Sequence, residues 1–355
     1  MAIRAFGNPK VRYNAVMSKT GLGAATAAPP GAASKLTVPT GVSGPGVWDL
    51  FAQGALTLDV GNTYNIGASG SDVDVTIHAW GAGGSGGRSP GNPGGEPASG
   101  GGGGGYTTGN MTLTDGVGYK FVVGNARGNG PAVPWGDPAA SGNPISPTYG
   151  PTNQFHSGGY SGIFETSVSA PNARLMAGGG GLGGYNDGGT QGGGGGGGGP
   201  TGADGGGGTG GYSGPPNGAG GTPTAGGAGG PSPHTNGSAG SSLAGGAGGA
   251  RGGSGAAGGG GGSGWYGGGG GGGQISINTN GGGGGGGSAY LHPSITGGSL
   301  TQAGRVDAAN NSSPYYVSGR AKGGYYSSAG PTDRHPGWPD TMWGSPGTIT
   351  FVLNG

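Results

Sequence analysis

The chain has 355 residues, 108 of them glycine, with 8% charged residues and a formal net charge of +1. So near-neutral a composition lacks the basic footprint of a nucleic-acid binder, and the absence of cysteine excludes disulfides and thiolate metal sites. With 30% hydrophobic residues, apolar side chains are too few for an ordinary core of this length. Either much of the chain is loose, or backbone groups supply the cohesion that side chains usually provide.

Residues 1–45 form the first block. Arg4, Lys10, Arg12, Lys19 and Lys35 occur there without an acidic residue, and "GLGAATAAPPGAAS" is small and proline-containing, as in an extended arm. The start of the chain has no apolar h-region or cleavage pattern of a secretory signal. No apolar run approaches the ~20 residues of a membrane span. The expectation is a protein assembled in the cytoplasm of its host, with residues 1–45 as the attachment arm.

Residues 46–177 read as a β-rich scaffold with the first glycine-rich segments. "GALTLDVGNTYNI" alternates apolar and polar residues. "DVDVTIHAW" places Val73, Val75, Ile77 and Ala79 on one face, and Asp74, Thr76 and His78 on the other. "YTTGNMTLTDGVGYKFVVG" predicts a strand pair about an Asp115-Gly116 turn. "SGGYSGIFETSVSAPNARLMAGGGG" predicts a third group of strands. Trp80, Tyr119 and Phe121 lie on these strand patterns and are expected in the core. No stretch has helical periodicity.

Residues 178–287 are a compositional world of their own. Glycine runs recur at Gly178–Gly181, Gly192–Gly199, Gly205–Gly208, Gly258–Gly262, Gly267–Gly273 and Gly281–Gly287, separated by short turn-like pieces. The repeat has no fixed period, and the strict Gly-X-Y of collagen is missing. A flexible linker does not return so regularly to turn punctuation. An extended threefold helix has three residues per turn, a rise of ~3.1 Å and no internal hydrogen bonds. Glycine alone lets six such neighbours close in and satisfy every backbone group, as burial requires. The predicted fold is therefore mainly β with a polyglycine-II helix bundle over 178–287 and almost no α-helix. Residues 288–355 are expected as a loop-rich segment with a closing strand, "GTITFVLNG", in which Ile349, Phe351 and Leu353 alternate.

"VTIHAWGAGGSGG", then "GGGGGGYTTGNMTLTDGVGYKFVVGNARG", then "GGYSGIF" and "ARLMAGGGGLGGY" resemble the glycine-rich domain of bacteriophage tail-fibre and tail-tip adhesins. A similar domain occurs in the extracellular part of certain receptor tyrosine kinases. The resemblance covers roughly residues 46–355. It implies a β-rich scaffold carrying packed polyglycine-II helices whose connecting loops bind a receptor. The expected function is that of a virion structural protein, a tail fibre or tail-tip adhesin. Its partners would be other virion proteins through the arm and a host surface glycan or outer-membrane protein, with a homo-oligomer left open and no nucleic acid. The alternative is a purely structural virion component such as a head fibre, decoration or tail-tip spacer.

Residues 83–87 match the hydrolase elbow G-x-S-x-G, which so much glycine produces by accident, and no acid and histidine follow in a recognisable context. Acidic residues do not cluster at glycosidase or metal-site density. No catalytic, cofactor-binding or metal-binding residue is expected. The informative residues are aromatic and amide side chains among Ser, Gly, Asn and Pro, the chemistry of adaptable binding loops. The receptor-binding candidates are Tyr212 and Asn217 in "YSGPPN", His234 and Asn236 in "PHTNGS", Trp265 and Tyr266, and Gln274 and Asn278 in "QISINTN". Tyr315 and Tyr316 have similar surroundings.

Overall fold

Alternating apolar residues build two antiparallel sheets that face each other across one core. In this computed structural model the described residues are 36–37, 55–59, 63–68, 72–87, 100–126, 156–184, 193–206, 217–253, 255–275, 281–324 and 343–354. The strands, in chain order, are β1 (Leu36–Thr37), β2 (Ala55–Asp59), β3 (Thr63–Ala68), β4 (Val73–Trp80), β5 (Tyr106–Leu113), β6 (Gly118–Val122), β7 (Ser161–Glu165), β8 (Ala173–Ala177), β9 (Tyr290–Leu291), β10 (Thr296–Thr301) and β11 (Thr348–Leu353). One sheet has the order β1-β3-β6-β7-β8-β9 and the other β10-β5-β4-β11-β2. Among the described residues the helical content is one 3-10 turn, Ala170–Asn172. The fold is mainly β, as expected.

The core joins Val73, Val75, Ile77, Ala79, Ile349 and Phe351 of the second sheet to Tyr119, Phe121, Ile163 and Leu175 of the first. Each is on the inward phase of its strand's two-residue alternation. The outer phase of β4 departs from expectation at His78. Asp74 is exposed, but His78 is buried beside Trp80, whose burial was expected. The segment 303–321 covers them, with Ala303, Ala308, Ala309 and Ala321 packed around Trp80 and Tyr106.

A second departure concerns the Asp115-Gly116 turn. The turn is present: Gly116 has φ +73, and the Val117 amide donates to the Thr114 carbonyl at 3.1 Å. It does not close a hairpin. β5 pairs with β4 and β10, while β6 pairs with β3 and β7. The connection crosses from one sheet to the other, so that Leu113 before it and Tyr119 after it enter the same core from opposite sides. The block after residue 288 also holds β9 and β10, which its loop-like composition does not announce.

Strands run on directly into glycine. β4 continues as 81–87, 100–105 leads into β5, β8 continues as 178–184, and 281–289 leads into β9. The Trp80–Tyr106 pair is followed by a Gly81 amide donating to the Gly105 carbonyl at 3.0 Å. Beyond that point the bonding changes character. In 267–274, Gly267, Gly270 and Gly273 donate to Ser241, Ser238 and Thr235, whereas Gly268, Gly271 and Gln274 donate to Gly262, Gly259 and Ala256. Gly269 donates to Ala219. The same segment accepts from Gly227 and Gly230, from Gly246 and Gly249, and from Gly285 and Gly282. It therefore has six neighbouring segments, and its partners recur every third residue. A strand bonds to two neighbours only.

Segment 281–288 is enclosed in the same way, by bonds to 178–182, 193–198, 202–203, 217–221, 259–262 and 267–272. The runs need glycine for space. A Cβ built on Gly268 would overlap the Gly285 carbonyl, and one on Gly195 would overlap that of Ala203. Among the described glycines, positive φ occurs at Gly116, Gly198, Gly199, Gly253, Gly297 and Gly319. The left-handed backbone is therefore not the general reason for glycine in the runs.

Candidate binding face at the far end of the glycine segments

The glycine segments have one end at the sheets and one end remote from them. Trp265 and Tyr266 lie at the sheet end. The Trp265 amide donates to the Ser288 carbonyl, and its ring stacks on Tyr290 of β9 at 4.0 Å and 16°. Its Nε1 donates to the Pro223 carbonyl at 3.0 Å. The ring covers a cluster of Val122, Tyr160, Phe164, Ala173 and Met176. Tyr266 meets Trp265 edge-on at 5.9 Å.

The remaining described candidates lie at the other end. Segment 267–274 runs away from the sheets, as its bonds to Gly285 and then Gly282 show. Its last residues meet two turns. Thr235 pairs with Gly273, and the Ser232 hydroxyl donates to the Gly273 carbonyl. The Gly252 amide donates to the Gln274 carbonyl at 3.0 Å, with the His234 imidazole lying against Gly252. Pro231 and Pro233 end the run before this loop. Asn236 then fixes it, its Oδ1 accepting from the Ser232 amide at 2.7 Å, as amide side chains do in turns. Asn217 also lies at this end, but its Oδ1 accepts from the Gly283 amide at 3.0 Å and so completes the packing of that segment.

His234 and Asn236 are exposed, and Gln274 is half-buried. Beside Gln274, Ile275 is 55% exposed, the one exposed large hydrophobic among the described residues. Sequence reasoning grouped "QISINTN" here without singling Ile275 out. Its signal in the sequence is an isoleucine two residues after a glycine run, next to Gln274. Tyr212 and Asn278 lie outside the described residues. The face thus offers hydrogen-bonding groups, an imidazole and one apolar side chain. These suit recognition of a surface.

Two other clusters carry chemistry. Ser85 of the G-x-S-x-G match is fully buried, its Oγ accepting from the His156 and Gly344 amides at 3.4 Å. On the flank, the His78 ring stacks on Tyr315 at 4.2 Å, and its Nδ1 is 2.8 Å from the Tyr106 hydroxyl. Burial pushes the His78 pKa down to about 4. Burial first, then the charge of Asp307, pushes the Tyr316 hydroxyl up to about 12. Tyr316 Oη donates to the Arg320 carbonyl at 2.6 Å. Tyr315 and Tyr316, with the look of binding-loop residues in the sequence, are the inner lining of a strap over β4. Among the described residues no group of three or more His, Cys, Asp or Glu is placed to hold a metal ion, and no helix is long and apolar enough to cross a membrane.

No protein-family model matches the chain, and a search of the curated proteins returns no match.

Proposed function

We propose that this protein is a virion adhesin of the tail-fibre or tail-tip kind, in which a bundle of polyglycine-II helices carries receptor-binding loops away from a β scaffold. Two features support the helix bundle: hydrogen-bond partners that recur every three residues, the period of that helix, and segments with six bonded neighbours. One observation carries the functional reading. Loops from separate parts of the chain, at 231–236, 251–253 and 274–275, meet at the end of the glycine segments remote from the sheets.

The position of β1 supports the same polarity. Leu36 pairs with Ala68 and Thr37 with Gly67, while Gly67 pairs with Gly118 at the start of β6. Leu36, the first residue of β1, therefore lies toward the side of the sheets opposite the glycine segments. An attachment arm over residues 1–45, with its five basic side chains, would hold a neighbouring virion protein there and leave the loop face free. We assign binding rather than catalysis, since the one hydrolase-like serine is buried among backbone groups.

The test is adsorption. Purified, labelled protein is mixed with the bacterium on which the particle grows, and receptor-deficient derivatives of that bacterium serve as controls. The adhesin reading expects saturable binding that unlabelled protein competes away. Absence of binding by a folded sample would leave the stiff-spacer alternative.

A further inference from the structure

The outermost glycine segments follow a rule that the inner ones do not. Segments 225–230, 235–241 and 244–250 form one lateral edge of the packing, each bonded to segment 267–274 and to its adjacent edge neighbours. Inner runs such as 267–273 and 281–287 are unbroken glycine. Two of the three edge segments carry a side chain at every third position: Ala225 and Ala228 in one, Ala244 and Ala247 in the other. All four alanines are exposed. The glycines between them face inward. A Cβ on Gly226 would overlap the Gly240 carbonyl, on Gly227 that of Ala219, on Gly246 that of Ser238, and on Gly248 that of Gly258. The third segment adds exposed Asn236, Ser238, Ala239 and Ser241.

This edge has an open hydrogen-bonding capacity. The amides of Ala228 and Ala247 donate to no protein group among the described residues. An open row of backbone groups is a template for another chain, as at the edge of a sheet. The glycine packing is a stronger template, because any segment without Cβ atoms can close in. We infer that the alanine ridges end the packing: Ala225, Ala228, Ala244 and Ala247 hold a second copy of this chain out of hydrogen-bonding reach, so that the edge stays unpaired. A methyl group is the smallest side chain that does this, and it adds little apolar surface of its own.

The experiment replaces Ala225, Ala228, Ala244 and Ala247 by glycine in the full chain and measures mass by light scattering over a concentration series. The inference expects at least a doubling of mass relative to the unaltered chain under the same conditions. Should the fourfold variant not fold, the pairs A225G/A228G and A244G/A247G are measured separately by the same criterion. Ala228→Lys and Ala247→Lys serve as the converse, expected to keep both the mass and the melting temperature of the unaltered chain. A folded glycine variant whose mass equals that of the unaltered chain at every concentration would overturn the inference. So would a disulfide joining two copies of an Ala228→Cys chain in quantitative yield, since the edge would then already be paired.

Discussion

A Cβ on Gly268 would overlap the carbonyl oxygen of Gly285. The two residues belong to neighbouring runs joined in register, with the Gly285 amide donating to Gly269 at 2.9 Å. At this contact the missing side chain is what permits the hydrogen bond. Stability in this part of the protein therefore responds to substitution with an unusual sign.

Gly→Ala at a backbone conformation that alanine tolerates usually stabilises by about 0.4–1 kcal/mol, through the unfolded chain. Gly268→Ala should instead destabilise by about 1–3 kcal/mol or more, the range for overpacking a close-packed interior. Gly195→Val should be worse, since its Cβ would meet the Ala203 carbonyl and two further methyls have no room. Ala228→Ser, on the exposed ridge, should stay within about 0.5 kcal/mol. Thermal melting of the variants checks the order.

The β scaffold was legible in the sequence because its side chains alternate. Val73, Val75, Ile77 and Ala79 are the inward residues of β4, as the pattern requires. His78 defeated the same reasoning. Its polarity marked the outer face, and nothing local announces that residues 303–321 return to cover it. The Asp115-Gly116 signal revealed a turn but not which sheet each flanking strand joins, since pairing is decided by residues distant in the chain. The glycine runs were legible as packed segments from their recurrence. Their depth is legible too, though only with the structure in hand: unbroken runs lie inside, and runs with alanine at every third place lie at the edge.

Trp265 looked like a loop aromatic free to touch a ligand. Stacked on Tyr290 over the Phe164 cluster, it joins the glycine segments to the first sheet. Trp265→Ala should cost about 3 kcal/mol, the low end for a large aromatic since this one is half-buried. It should leave the affinity of the protein that remains folded for the host surface unchanged. Chemical denaturation and a binding isotherm measure the two effects separately.

Acid should loosen the strap over β4. The folded-state pKa of His78 is depressed to about 4 from 6.5, so the unfolded chain binds the proton more readily. Stability from this group is complete above pH 6.5 and declines as pH falls toward 4. The Tyr106 hydroxyl beside Nδ1 and the Tyr315 ring on its face offer no negative charge to hold an imidazolium. Melting temperature measured between pH 7 and pH 4 should fall, and His78→Gln should flatten that part of the profile even if it lowers the melting temperature overall.

On the far face, His234→Ala and Ile275→Ala should weaken host binding while melting stays within about 0.5 kcal/mol of the unaltered chain. If either is a central contact, the loss is about 2 kcal/mol or more, roughly thirtyfold in affinity. Asn236→Ala differs, since it also frees the Ser232 amide. It should lower binding and increase proteolytic nicking of the 231–236 loop together. Unchanged adsorption for all three variants would favour the spacer function.

The central claim is that the glycine segments are an ordered, mutually hydrogen-bonded body. Amide hydrogen exchange at Gly267–Gly273 and Gly281–Gly287 tests it most directly, since these residues have no side chain to report on their surroundings. Protection comparable to that of β4 and β5, lost only with global unfolding, is the expected result. Exchange at the rate of an unstructured glycine chain across both runs, in a protein whose β strands remain protected, would contradict it.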